Sequence, residues 1–248
     1  MLSELTLIQL ITICCSAFII GMSKTGIQGI TVLSVPYMAM AFGAKESTGI
    51  ILPLLCLADI IGVGYYRKTC DFKVVLRLLP AAVAGFFLAI FVDTQIPVAA
   101  FKQLLGGTLL LVFGVLLWSE YCGKDNRYAH TWWFAAFFGV LGGFVTMVAN
   151  AAGAVMAVYL LSMRKAKNDF IGTNAWFFMI VNLLKLPLQI FAWNNIDWSI
   201  IKLDLCMLPC IFMGAALGFY LVKRFSDKSF KMYIQGVTAL SVVMMLCS

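Results

Sequence analysis

Apolar runs of close to twenty residues follow one another along this chain, each parted from the next by only a few charged residues. About 20 mostly apolar residues are what a helix needs to cross the hydrocarbon of a bilayer. No water is available there to satisfy the backbone, so a spanning run must close its own hydrogen bonds as a helix. Read against the charged residues, the runs fall at about 5–22, 26–42, 46–66, 72–92, 98–118, 131–149, 151–163, 168–192, 199–222 and 230–247. The spacing predicts an all-α polytopic membrane protein with about eight to ten helical segments. Little chain is left over, so residues 1–248 read as a single transmembrane domain with no soluble appendage. Hydrophobic residues make up 62% of the chain and charged residues 12%, against roughly 45–50% and 25% in soluble domains. The first run, about Leu5 to Met22, lacks the basic start and A-x-A site of a signal peptide and reads as a retained helix.

Two runs are short. The polar turn Ser23-Lys24-Thr25-Gly26 precedes the second, and Asn150-Ala151-Ala152-Gly153 separates the sixth from the seventh with no charged loop at all. Each short pair is either a tight hairpin of full helices or a broken, re-entrant element. The latter is tolerated at membrane depth only where protein or a wet cavity shields the backbone.

The formal net charge of +7 belongs to topology rather than to nucleic-acid binding. Basic residues gather in alternate connections: Lys24; Arg67, Lys68 and Lys73; Lys124 and Arg127; Arg164, Lys165 and Lys167; Lys223, Arg224 and Lys228. The positive-inside rule makes those connections cytoplasmic and both termini non-cytoplasmic. The eight cysteines have no metal-ligand spacing, and the one histidine, His130, stands in a polar loop. A zinc site and a His-based triad are thereby excluded. With no H-E-x-x-H, Walker sequence or Ser/His pair either, the chain reads as a non-enzyme that needs no cofactor and no metal.

A shift of about 126 residues superposes features of the two halves (1–120 and 130–248). Asp71-Phe72 falls on Asp197-Trp198, Thr48 on Asn174 and Asp59 on Lys185; with three more residues of slip, Leu79-Pro80 meets Leu208-Pro209 and Gly85 meets Gly214. Five segments per half is an odd number, so the second half enters the membrane upside down. Inverted repeats seat their cargo between broken helices at corresponding positions, here the turns at Lys24 and Asn150.

Those turns hold the chemistry. In Gly21 to Gly29 the glycines permit a tight turn, Ser23 or Thr25 can cap the following helix, and Gln28 adds a polar side chain. The free N–H groups of a helix start, the dipole behind them and the Lys24 ammonium together suit an oxyanion. Asn150 and Gly153 supply the corresponding turn. Within the eighth run, Asn174, Asn182, Lys185 and Gln189 are polar residues in apolar surroundings, the last three on one helix face. A charge at a helix centre costs about 2.5–3.5 kcal/mol on insertion scales, so Lys185 and Asp59 call for partners. The two are expected to form an ion pair that an anion opens, or Asp59 to accept a coupling proton. The site residues expected for the cargo are thus Ser23, Lys24, Thr25, Gly26, Gln28, Asn150, Gly153, Asn174, Asn182 and Lys185.

Four stretches together resemble the sulfite exporter TauE/SafE family: Gly21 to Gly29 with Val35-Pro36; Ile51-Leu52-Pro53-Leu54-Leu55 to Ala58-Asp59; Tyr66-Arg67-Lys68 through Asp71-Phe72 to Leu78-Leu79-Pro80 and Gly85; and Asn182-Leu183-Leu184-Lys185-Leu186-Pro187. Thr25 stands where the family pattern has glycine. The resemblance implies an inner (plasma) membrane exporter of sulfite or an organosulfonate such as sulfoacetate, with lipid around it, protons as the candidate coupling ion, and a homo-oligomer left open. An anion channel and a carrier of another substrate class remain the alternatives.

Overall fold

The structure, a computed structural model, describes residues 5–93, 130–150 and 152–247. Its helices are α1 (Leu7–Lys24), α2 (Thr31–Phe42), α3 (Ala44–Tyr66), α4 (Phe72–Asp93), α5 (Trp132–Ala149), α6 (Gly153–Ser162), α7 (Lys167–Pro187, continued by a π turn at Leu188–Ala192), α8 (Trp198–Cys206), α9 (Leu208–Arg224) and α10 (Asp227–Cys247). No strand occurs among the described residues. The expected segment at 98–118, with Lys102, Lys124 and Arg127, lies outside them. The others agree with the sequence expectation to within a few residues, except the ninth. That run is two helices, α8 and α9, bent by 49°. Pro209 explains the break: it lacks an N–H and so fits the first turn of a new helix better than the interior of an old one.

Among the described residues, four helices are long and apolar enough to cross a membrane, or five if the α8–α9 pair counts as one span. The protein is an integral, multi-pass membrane protein. Its outer face agrees, with Ile8, Met40, Phe91, Trp133 and Phe191 all exposed.

The short segments are the structural key. At 1.5 Å per residue, the 12 residues of α2 and the 10 of α6 reach only about 18 and 15 Å, short of the roughly 30 Å hydrocarbon core. Each instead folds back on the helix before it. Gln9 Nε2 donates to the Ala41 carbonyl at 3.0 Å, so the end of α2 lies beside the start of α1. The second hairpin, α5–α6, opens elsewhere. Arg77 Nη1 in α4 donates to His130 O just before α5, at 2.9 Å, and Lys165 just after α6 pairs with Asp71 just before α4. Helix α3 runs from the mouth of the first hairpin to within five residues of Asp71, so the two mouths lie at opposite ends of α3. The tips meet, since a Cβ on Gly153 would come 4.0 Å from Gly29 Cα. Helix α6, apolar all round, has Ala154 to Ser162 all buried.

Each first hairpin arm packs on the long helix of the other half. Where α1 meets α9, a Cβ on Gly21 would stand 2.2 Å from Ile211 O, and one on Gly214 would stand 2.0 Å from Phe18 O. Where α4 meets α5, one on Gly143 would stand 2.1 Å from Ala82 O, and one on Gly85 would stand 2.2 Å from Val140 O. Gly21 and Phe18 lie 122 residues before Gly143 and Val140; Ala82 and Gly85 lie 129 before Ile211 and Gly214. The same contact is therefore made twice, in register. Between the two crossings, α3 and α7 cross antiparallel: Gly172 meets Thr69, Asn182 meets Asp59, and Asn195 meets Gly49.

The connection ahead of α4 is held by charge. The Lys165 ammonium holds the Asp71 carboxyl below its ordinary range, helped by N–H groups of Val74 and Lys73. A depressed carboxyl stabilises the fold above its unfolded pKa and loses that contribution as pH falls through its lower folded value. The pair is partly solvated, so its worth is at most about 1 kcal/mol. Asp71→Asn should lower the thermal midpoint at pH 7 by the few degrees this implies, and the difference from wild type should shrink as pH falls below about 3.8 and vanish only below the lower folded value.

One buried acid has no such support. Asp204 in α8 is 1% exposed, and neither carboxyl oxygen has a hydrogen-bond partner among the described residues. Leaving a polar group unsatisfied costs about 1–3 kcal/mol. Asp204→Leu, similar in volume, is expected to raise stability in detergent by about that amount, read as a higher denaturation midpoint.

Candidate functional site

Lys24 ends α1, and its side chain reaches α3. Its Nζ lies 2.8 Å from Asp59 Oδ1 and 4.4 Å from the centre of the Phe178 ring, a distance at which a cation is attracted to an aromatic face. Asp59 is fully buried and also accepts from Asn182 Nδ2 at 2.7 Å. One carboxylate thus ties α1, α3 and α7 together. A buried ion pair gains little over its desolvation cost, but removing either partner leaves the other charge stranded.

Lys185, on α7, is also fully buried and has a different set of partners. Its Nζ donates to Thr146 O at 2.7 Å, to Thr146 Oγ1 at 3.3 Å and to Asn150 Oδ1 at 2.5 Å. Three N–H bonds meet three acceptors. The ammonium sits on the Thr146 carbonyl in the last turn of α5, the end of a helix that favours a cation. Asn150 follows in the left-handed region (φ 52°) as the C-cap of α5, and its Nδ2 donates to Thr48 O at 3.2 Å.

The expected pair of Asp59 with Lys185 is therefore not made. Lys24 takes Asp59, and Asn150 takes Lys185. The 126-residue shift carries Lys24 to Asn150 and Asp59 to Lys185. The repeat thus predicts equivalent contacts, Lys24 with Asp59 and Asn150 with Lys185, and not contact between the equivalents themselves.

A small cavity lies between the hairpin tips and the α3–α7 crossing, with about 20 Å3 of room, enough for about one water. Seven of the ten expected cargo residues line it: Ser23, Lys24, Gln28, Asn150, Gly153, Asn174 and Asn182. Thr31 and Thr146 line it too, over an apolar side made by Leu55 and Phe178. Neither threonine stands out in the sequence. A threonine in an apolar helix is ordinary, and only the i, i+4 spacing of Thr146 and Asn150 hints at a shared face.

Thr25, Gly26 and Lys185 are placed behind this lining. Thr25 Oγ1 lies 3.0 Å from both Gly21 O and Ala215 O, and the Thr25 carbonyl accepts from Tyr66 Oη at 3.1 Å. That hydroxyl ties α1 to α9, so it holds the turn and does not cap α2. Ser23 does not cap α2 either. The residue ahead of α2 is Ile30 and that ahead of α6 is Ala152, and neither offers a side-chain cap. Both short helices begin on the cavity, at Thr31 and at Gly153, without a side-chain cap from the residue ahead of them.

Each helix start carries about half a positive charge, so the two add about one. Lys24 and Asp59 cancel, and Lys185 stands one residue behind the wall. The cavity is positive overall while its cation is already paired. Asn174 and Asn182 each have an amide oxygen without a partner among the described residues. Half a turn about the last side-chain bond of Asn174 presents its NH2 to the cavity instead.

The model of the sulfite exporter TauE/SafE family matches residues 13–245. The chain belongs to that family. Searches of curated proteins and of solved structures gave no match. The TauE/SafE match takes in both hairpin tips and the α3–α7 crossing, so the cavity and every described residue lining it fall within the family region. Membership makes the protein a membrane transporter of small sulfur-containing anions as a class.

Proposed function

We propose that this protein exports sulfite or a small organosulfonate by alternating access, as an inverted repeat of two five-segment halves that rock around the cavity between the hairpin tips. One observation carries the reading: two short helices from opposite hairpins begin, uncapped, on the same buried cavity. Broken half-helices whose N-termini face an anion are the way inverted-repeat transporters hold a negatively charged group. The paired glycine crossings support the repeat, and the gathering of basic residues beside Asp71, Arg77 and Lys165 supports a cytoplasmic assignment for that end.

Lys24 is the cationic contact for the cargo, with the N–H groups of α2 and α6, Ser23, Gln28 and the amide of Asn174 as further donors. The cavity holds about one water, so the tips part to admit an oxyanion. An anion reaching Lys24 competes with Asp59, and a proton on Asp59 frees Lys24 for the anion. That exchange is the coupling step. Lys185 positions Asn150 and the end of α5 and does not touch the cargo. With the cell interior negative, each outward-moving negative charge gains about 2.3 kcal/mol per 100 mV, so export proceeds without a sodium ion.

The test is flux from proteoliposomes loaded with sulfite, sulfoacetate, sulfate or acetate, under an imposed potential. Saturable efflux of sulfite or sulfoacetate, slower for acetate, is the expected outcome. Current that rises with concentration without saturating would make the protein an anion channel. Retention of every sulfur anion alongside transport of a cation would end the reading.

A further inference from the structure

A second cleft, of about 580 Å3, lies away from the cargo cavity, between the α6–α7 connection and the start of α10. Arg164, Lys165 and Lys167 come to it from the connection, and Lys228 and Lys231 from the first turns of α10; the one carboxylate in its wall among the described residues is Asp227. Part of this charge is spent internally. Lys165 pairs with Asp71, and Lys167 Nζ donates to the last carbonyls of α9, Val222 O at 3.1 Å and Phe225 O at 2.5 Å. Against Asp227 and the Asp71 that pairs with Lys165, the five cations still leave the described wall of the cleft net positive. Helix α7 begins there after Ala166 without a side-chain cap, so its first N–H groups add to the field.

Two further features narrow the ligand. The cleft has an apolar floor: Leu161, Phe170 and Phe230 line it, the two rings packed edge to face with centroids 5.4 Å apart. The outer side of α10 then continues as an apolar face. Met232, one turn beyond the exposed Lys228, is 58% exposed, and Leu240 two turns further is 51% exposed. A free inorganic anion uses the cations and ignores both features. A molecule with an anionic head and a long apolar tail uses all of them.

We propose that this cleft is a binding site for the phosphodiester headgroup of an anionic phospholipid, with an acyl chain lying along the outer face of α10. The cations sit at the end of the molecule assigned to the cytoplasm by charge, where basic clusters beside membrane helices meet anionic headgroups. The site is separate from the cargo cavity and does not depend on what the protein transports.

The experiment is native mass spectrometry, with a thermal-shift assay, on full-length protein exchanged into detergent carrying phosphatidylglycerol, phosphatidylcholine, inorganic phosphate or sulfite. Phosphatidylglycerol is expected to stay bound and raise the melting temperature, at least about tenfold more effectively than phosphatidylcholine. The double variant Lys228→Gln/Lys231→Gln should lose that preference while keeping the melting temperature of lipid-free wild type. Equal retention of the two lipids, or unchanged preference in the double variant, would overturn the proposal. Inorganic phosphate or sulfite giving the full shift without lipid would assign the cleft to a soluble anion and overturn it equally. Should Lys228→Gln/Lys231→Gln fold poorly, Met232→Gln serves in its place. It leaves every cation present, and it should weaken phosphatidylglycerol while leaving the response to phosphate unchanged.

Discussion

Lys24→Gln should reduce sulfite efflux from proteoliposomes by about two to three orders of magnitude. The size follows from two losses at one atom. The substitution removes the one cation among the described residues of the cavity wall, so the oxyanion keeps only helix ends and neutral donors there. It also strands Asp59, fully buried and left with Asn182 alone. Truncating one partner of a buried, hydrogen-bonded charge pair costs about 2–5 kcal/mol, and each 1.4 kcal/mol is tenfold. Folding loss and transport loss can be told apart with Asp59. Lys24→Gln/Asp59→Asn removes both charges and should recover the thermal midpoint of wild type to within about 1 kcal/mol of stability. If Lys24 is the cargo contact, the double variant stays inactive although it folds. If Lys24 serves only to satisfy Asp59, the double variant regains efflux, and the assignment of Lys24 fails. Asp59→Asn alone leaves Lys24 unpaired and free for an anion. It should bind sulfite at least as tightly as wild type while losing the dependence of efflux on an imposed pH gradient.

The contrast with Lys185 shows how far the sequence could be read. Both lysines stand out because a charge inside an apolar helix is expensive and needs a reason. The sequence therefore identifies them, along with Asp59, Asn174 and Asn182. It does not say which charge meets which. Lys185 and Asp59 occupy equivalent places in the two halves, which suggests a pair. Yet a two-fold relation brings equivalents together only on the axis itself, and here the side chains reach sideways to the neighbouring hairpin tips. The order of segments was legible for a simpler reason: lipid accepts only helices, so apolar length maps almost directly onto structure. Where the mapping failed, at Met207, a proline counted as interior to one run instead marks the start of the next helix. The short runs at α2 and α6 were visible as short. What stayed open was the choice between a tight hairpin and a broken, re-entrant element, because the return of each short helix along its partner depends on contacts such as Gln9 with Ala41 that no periodicity encodes. Thr31 and Thr146 were invisible for want of contrast with an ordinary membrane helix.

Gly143→Val and Gly21→Val should each abolish folded protein, read as loss of the monodisperse peak after extraction and of any transition in thermal denaturation. A Cβ at either position would sit 2.1–2.2 Å from a backbone oxygen across the crossing, Ala82 O or Ile211 O. No side-chain rotation on the partner relieves that contact, because the atom met is main chain. The helices must part by about 1 Å to restore ordinary contact, and parting them breaks the neighbouring approach at Gly85 or Gly214 as well. Overpacking a well-filled core typically costs about 1–3 kcal/mol; with two close approaches lost together and a branched side chain to seat, the cost exceeds the upper figure. Gly64→Ala and Gly236→Ala meet nothing within 4 Å. Both should fold as well as wild type or gain up to about 1 kcal/mol from the better helix former. The comparison between Gly21 and Gly143 bears on the repeat itself. If the α1–α9 and α4–α5 crossings are the same interface used twice, the two valine substitutions do equal harm, and the milder Gly21→Ala and Gly143→Ala lower the denaturation midpoint by similar amounts. A large difference between the two alanine variants would mean that the halves do not share one packing solution. The alternating-access reading would then lose the symmetry that lets one half take the place of the other.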